Sequence, residues 1–274
     1  MEYEVATKKA KDLLKTVDKN KYPETVRVLN TLVNEWYDGL DEFCWDLMRC
    51  DKKFPLEPNV AKLVEKIFLD DIAKNDDYAM CNLGALYYDG RIGEQNFEKA
   101  VYYYEMSAKL GNRQAQENLG YCYYYGRVSE PDYKKAYHYF VMGALEGHIV
   151  SLYKIGDMYK NGLYVEKNER QAFIIYKHCG DILEGKDKNE KEYYSADIYV
   201  RLADCYFYGA GTDKNLEKAL SCYQKAEQLY YPRICNGDYM YKKQYERAVE
   251  RQQLVREEMK KNLPNYSWAN KKDF

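Results

Sequence analysis

The octapeptide LGALYYDG, starting at Leu83, comes back as LGYCYYYG at Leu119, IGDMYKNG at Ile155 and LADCYFYG at Leu202. The intervals are 36, 36 and 47 residues. A fixed period constrains a chain more than any isolated motif does, because every copy has to fold as the same unit and lean on its neighbours for a shared core. The last interval carries eleven extra residues, which we place in the polar, turn-rich stretch EGKDKNEKEYYS from Glu184 to Ser195.

Aligned at this period, seven slots repeat their chemistry. A large aliphatic (Leu83, Leu119, Ile155, Leu202) is followed by a small residue (Gly84, Gly120, Gly156, Ala203) and, three residues later, by a tyrosine (Tyr87, Tyr123, Tyr159, Tyr206). A glycine closes the segment: Gly90, Gly126, Gly162 or Gly209. Asn96, Asp132, Asn168 or Asn215 then precedes an alanine (Ala100, Ala136, Ala172, Ala219) and an aromatic (Tyr104, Phe140, Tyr176, Tyr223). The first three slots lie along one helical face, extended upstream by Ala79, Ala115, Ser151 and Ile198, and define a helix A. The glycine supplies a left-handed closing residue, and the Asn or Asp caps the free amides of a helix B. Such a unit cannot bury its apolar face alone, so the copies must stack into an all-α solenoid.

Tyrosine accounts for 32 of 274 residues, an excess that a repeated tyrosine-bearing unit explains. With 42 basic and 44 acidic residues there is no bulk field to draw in nucleic acid or an anionic membrane. The N-terminal stretch MEYEVATKKAKDLLKTVDKN lacks an apolar signal core, and no window offers eighteen consecutive apolar residues, so the expected compartment is the cytoplasm. The eight cysteines form no CxxC pair and the three histidines are scattered, which leaves no metal or cofactor site and points to reduced thiols. Cys122 and Cys205 share a slot held by Leu86 and Met158 elsewhere, as a packing position would.

The pattern L-G-x-x-Y-x-x-G, then [DN]-x-x-x-A-x-x-x-[YF], running from Tyr78 to about Tyr230, resembles the Sel-one-like repeat (SLR) family of the tetratricopeptide superfamily. The resemblance implies α/α solenoids that act as adaptors and scaffolds, binding proteins or peptides mostly on a concave surface. The family's second loop glycine is present as Gly211 but replaced by Ile92, Val128 and Tyr164 in the other units. Exported, cysteine-rich members are linked with β-lactam binding or hydrolysis and staple each unit with a disulfide. Here only the last full unit has a cysteine on both helices, Cys205 and Cys222.

The expected organisation is one continuous α/α solenoid, or superhelix. Residues 1–76 hold N-terminal helices with a degenerate first repeat, in which Trp36 takes the tyrosine slot, Val64, Phe68 and Ile72 form the helix B stripe, and LDEFCWDLMRCDKKFPLEP is an enlarged connector. Residues 77–231 hold four units at about 77–111, 112–147, 148–183 and 195–231, with the insertion near 184–194. Residues 232–274 form a C-terminal capping helix, with a tail docked by Trp268 or left mobile.

Function is expected on the helix A face turned away from the stack, which by resemblance to tetratricopeptide units lines the concave groove. Its candidate binding residues are Tyr88, Asp89, Glu117, Tyr121, Tyr124, Tyr125, Tyr153, Asp157, Asp204 and Tyr208. Tyrosines offer rigid area with a hydroxyl, and carboxylates select cationic or amide-rich partners, so the expected ligand is an extended or helical peptide, net basic. A hydrolase or ligand-binding protein of the β-lactam type is the alternative by resemblance. No nucleophile elbow, P-loop or dinucleotide fingerprint supports catalysis, and the pairs Asp70/Asp71 and Asp76/Asp77 read as helix-end charge. RNA stacking on the tyrosines is a second alternative, opposed by the acidic groove. The basic stripe Arg247, Arg251, Arg256, Lys260 and Lys261 is interleaved with glutamates and reads as a solvated face.

Overall fold

The computed structural model describes residues 1–35, 37–51, 55–185, 195–235 and 241–262. Every regular element among them is a helix. Two compact units divide the chain at Gly147. The first holds α1 (Tyr3–Leu13), α2 (Pro23–Asn34), α3 (Leu40–Arg49), α4 (Pro58–Ile72), α5 (Asp77–Asp89), α6 (Phe97–Lys109), α7 (Arg113–Tyr124) and α8 (Tyr133–Leu145). The second holds α9 (Ile149–Asn161), α10 (Glu169–Glu184), α11 (Ser195–Tyr208), α12 (Leu216–Cys235) and α13 (Lys242–Lys261). Within each unit, helices adjacent in sequence pack against one another, and α1 also reaches α4.

One turn geometry serves all four hairpins. Gly90, Gly126, Gly162 and Gly209 take φ of +66°, +60°, +69° and +70°, a left-handed conformation that glycine adopts without a Cβ penalty. The next amide then bonds back into the helix: Arg127 N to Cys122 O at 2.9 Å, Leu163 N to Met158 O at 3.0 Å, and Ala210 N to Cys205 O at 3.0 Å. At the far end of each loop the capping residue uses both its groups. The amides of Asn96, Asp132, Asn168 and Asn215 donate to the carbonyls of Tyr87, Tyr123, Tyr159 and Tyr206 at 2.8 to 2.9 Å. Their side chains accept from the amides of Lys99, Lys135, Gln171 and Lys218. The repeated tyrosine and the repeated cap are thus joined by a backbone bond that sets the hairpin. Gly211 and Tyr164 occupy the same loop slot and both take positive φ, +73° and +65°, so tyrosine here adopts what the family gives to glycine.

The glycine of helix A is explained by what lies on it. A Cβ built at Gly84, Gly120 or Gly156 would come within 2.8, 2.5 and 2.6 Å of the ring of Tyr104, Phe140 or Tyr176. Those rings, with Ala100, Ala136 and Ala172, are fully buried, and each such ring contributes about 1.5–3 kcal/mol through burial. Tyr87 and Tyr123 brace the hairpin from its other side. Each stacks on the tyrosine of helix B, Tyr103 or Tyr139, with centroids 5.8 Å apart and rings 1° from parallel. Their hydroxyls donate to Glu65 and Glu105, and Lys99 and Lys135 lie 4.6 and 4.7 Å over the rings.

The N-terminal segment differs from the expectation in one respect. Part of the stretch read as an enlarged connector is helix α3, because Phe43, Cys44 and Leu47 recur at helical spacing and are all buried. Val64 and Phe68 are buried in α4, while Ile72 is half-buried. Trp36, the bulk of the insertion, and the tail with Trp268 lie outside the described residues. Helix α12 runs through Pro232 to Cys235, and α13 buries Ala248, Gln252 and Val255. Val255 closes a small cluster with Ala203, Ala219 and Tyr223. All described cysteines are free, and burial pushes the thiols of Cys81 and Cys122 up to about 12 and that of Cys205 up to about 11.

Candidate functional site

The first unit carries six of the candidate residues, on α5 and α7. Tyr121 stacks on Tyr125 at 6.0 Å with rings 9° from parallel, and meets the buried Phe140 edge-on at 5.7 Å. Tyr124 stands edge-on to Tyr125, Tyr133 and Phe140. The result is a ledge of aromatic rings at the C-terminal end of α7, in which Tyr121 and Tyr124 are half-buried and Tyr125 is 48 % exposed. Tyr88 is half-buried at the matching end of α5, edge-on to Phe97 at 5.1 Å. Asp89 beside it is exposed. Glu117, by contrast, is buried, one turn before Tyr121.

A residue the sequence reading left out organises this ledge. The guanidinium of Arg127, in the loop after α7, lies 5.6, 5.3 and 5.4 Å from the ring centroids of Tyr88, Phe97 and Tyr125. Its Nε donates to the Tyr88 hydroxyl at 2.9 Å. Three ring faces around one guanidinium are a cation–π arrangement, each contact contributing about 0.5–1 kcal/mol at an exposed site. This face therefore already holds an arginine, supplied by the chain itself.

In the second unit the candidates are Tyr153, Asp157, Asp204 and Tyr208, and here the acids are not presented to solvent. Asp157 is buried, accepts from the Tyr176 hydroxyl at 2.7 Å, and takes a two-pronged contact from Arg201, Nε at 2.6 Å and Nη2 at 2.7 Å. Lys154 stands 3.9 Å away, and Arg201 also lies 4.5 Å over the ring of buried Tyr153. Burial pushes the Asp157 carboxyl up, but the Arg201 guanidinium, with Lys154 and the Tyr176 hydroxyl, outweighs it and holds the carboxyl below its usual value. Asp204 repeats the design: it is buried, accepts from Tyr223 at 2.5 Å, and is bonded by Arg251 of α13. Tyr208 is 63 % exposed, with Arg251 5.9 Å over its ring. Arg251, read from sequence as part of a solvated stripe, is thus turned inward, while Arg247, Arg256, Lys260 and Lys261 are exposed.

Three of the four units fill the helix A slot facing the helix B ring in two ways, while the first carries the small Ala85 there. Where helix A carries Asp157 or Asp204, the facing helix B ring is Tyr176 or Tyr223 and its hydroxyl meets the carboxylate. Where helix A carries Tyr121, the facing ring is Phe140 and the contact is ring on ring. That correspondence was present in the sequence as aligned slots. What the slots did not carry is the arginine, because Arg201 stands where the other units have Asn82, Asn118 and Lys154.

The Sel1 repeat family matches at residues 77–112, 113–148, 149–177 and 197–231. Among solved structures, a Sel1 repeat protein from Oxalobacter formigenes is similar at a TM-score of 0.52 and 23 % identity, over 61 % of this chain and 64 % of that one. A protective antigen of uropathogenic Escherichia coli strains, displaying an SLR fold, is similar at a TM-score of 0.57 and 21 % identity, over 87 % of this chain and 51 % of that one. The chain thus spans less than two thirds of either structure's length, and at these identities the likeness is one of fold. No curated protein sequence matches it. Among the described residues no helix is long and apolar enough to cross a membrane. With four repeats, an all-helical α/α solenoid architecture and structural neighbours of the same kind, the chain belongs to the Sel1 repeat family.

Proposed function

We propose that this protein is a non-catalytic scaffold that binds a partner protein through the helix A face carrying its exposed tyrosines. Sel1 repeat proteins are generally protein-interaction scaffolds. The observation that carries the reading here is the ledge of Tyr121, Tyr124 and Tyr125. These rings sit at slots where the repeat needs no tyrosine, and Tyr125 keeps about half its surface open to water. Tyr88, Asp89 and Tyr208 extend the same kind of surface on α5 and α11. Arg127 already occupies the faces of Tyr88, Phe97 and Tyr125, so on this ledge the open ring area is what a partner meets, and selection for a cation rests on the exposed Asp89.

Tyr153, Asp157 and Asp204 enter this proposal differently from the exposed rings. Arg201 and Arg251 lie against them, Tyr176 and Tyr223 donate to the two carboxylates, and with Glu117 they are buried, so they are not offered as contacts to the partner. Buried carboxylates tied to arginine and tyrosine are poor general acids or bases, which favours a scaffold over an enzyme. The buried free thiols fit a reducing compartment such as the cytoplasm.

The test compares wild type with Tyr121→Ala/Tyr125→Ala as affinity baits against extract of the source organism. We expect specific partners on wild type that the double variant loses, with helicity unchanged by circular dichroism. Retention of every partner by the double variant refutes the assignment of the face.

A further inference from the structure

Between α3, α4, α5 and the start of α7 the first unit holds a cavity of about 490 Å3. Four carboxylates line it, Asp41, Glu42, Asp71 and Asp76, together with Trp45 and Tyr78. No lysine or arginine lines it among the described residues. The local charges do not cancel. Asp71 pairs with Lys74 at 2.7 Å, and the nearby Asp70 meets the N-terminal amine at 3.4 Å. Asp76 caps α5 through the Ala79 amide at 2.9 Å, and Glu42 accepts from the Asp38 amide at 3.3 Å, but neither bond brings a positive charge. Lys74 acts on Asp76 as well as on Asp71, so the carboxylates with no cation beside them among the described residues are Asp41 and Glu42 in the first turn of α3, and the acids around the cavity still outnumber the cations.

The aromatic pair supplies the second half of the argument. Trp45 is 49 % and Tyr78 72 % exposed, two large rings left open beside the acids while Phe68 and Ala79 form an apolar floor. Ring faces and carboxylates attract the same group, a cation, and an apolar floor takes the aliphatic stem that lysine and arginine carry. Position ties the cavity to the binding face: Tyr78, Cys81 and Tyr88 follow one another along one side of α5, so a peptide on the Tyr88 ledge continues toward the cavity.

We propose that this cavity receives a lysine or arginine side chain of the partner protein. The inference rests on the scaffold reading above and names its cation-selecting carboxylates, which are Asp41 and Glu42 rather than the internally paired Asp157 and Asp204.

The test uses the full chain with 15N-labelled tryptophan indoles, the Trp45 resonance being assigned with Trp45→Phe. It is titrated with the blocked pentapeptide acetyl-Gly-Gly-Arg-Gly-Gly-amide and with its citrulline counterpart, which keeps shape and loses charge. The arginine peptide is expected to shift the Trp45 resonance and the citrulline peptide to leave it in place. Asp41→Asn with Glu42→Gln, both exposed, should weaken the arginine peptide about tenfold, with the helical circular dichroism spectrum kept and the melting temperature lowered by no more than the loss of two first-turn acids explains. No movement of Trp45 up to about 10 mM peptide, equal movement with citrulline, or unchanged binding by the double variant overturns the proposal. Tyr121 and Tyr125 do not line the cavity, so their capture experiment can fail or succeed independently.

Discussion

Truncating Asp157 to alanine removes the acceptor for three short hydrogen bonds at once, from the Tyr176 hydroxyl and from Nε and Nη2 of Arg201. The side chains of Arg201 and Asp157 are only 21 % and 12 % exposed, so the stranded guanidinium cannot fully rehydrate. Removing one member of a buried ion pair costs about 3–5 kcal/mol, and the residual solvent contact of Arg201 with its seat over Tyr153 places this case near 3 kcal/mol. Urea unfolding of the full chain followed at 222 nm should show that loss for Asp157→Ala and a similar one for Arg201→Met. Asp157→Leu/Arg201→Met should lose clearly less than the sum, because neither charge is then left alone. The acid dependence fixes the sign. A carboxyl whose native pKa is depressed stabilises the fold above its unfolded pKa of about 4 and loses that contribution as pH falls through the native value. The gap between wild type and Asp157→Ala should therefore be full at pH 7 and shrink below pH 4, about where the unfolded carboxyl begins to protonate. A gap under about 1 kcal/mol at pH 7, or one that widens in acid, refutes the reasoning.

Two further outcomes follow from the repeat geometry. Gly120→Ala puts a methyl 2.5 Å from the Phe140 ring, and after the helix-propensity gain of alanine the net loss should be about 1–2 kcal/mol, recovered in part by Phe140→Leu; chemical denaturation of the three variants checks this. The thiols of Cys122 and Cys205, buried and with pKa pushed up to about 12 and 11, should resist a disulfide-exchange reagent at pH 8 in the native state, whereas exposed Cys235 reacts at once.

The scaffold was legible because its causes are local. A left-handed glycine, a capping Asn or Asp and a tyrosine whose carbonyl receives the cap amide all fall within one hairpin, and a period of 36 displays them four times. The surface was less legible because its determinants cross from one repeat to another. Arg201 reaches Asp157 from 44 positions away, at a slot the other repeats fill differently, and Arg251 reaches Asp204 from 47, on a helix beyond the last repeat. Helix periodicity sends Asp157 and Asp204 to the face away from the stack, and only the following helix determines whether that face is open or covered. The α3 carboxylates escaped for a related reason: α3 lies outside the regular repeats, so no alignment of slots could bring Asp41 and Glu42 beside Tyr78.

The central claim, that the tyrosine-bearing helix A face is the partner surface, is tested most directly by hydrogen–deuterium exchange of the complex with a captured partner. Added protection is expected along α5 and α7 and their loops, extending to α3 where the partner reaches the cavity, with α6 and α8 unchanged. Protection centred on α6 and α8, with α5 and α7 exchanging as in the free protein, would contradict it.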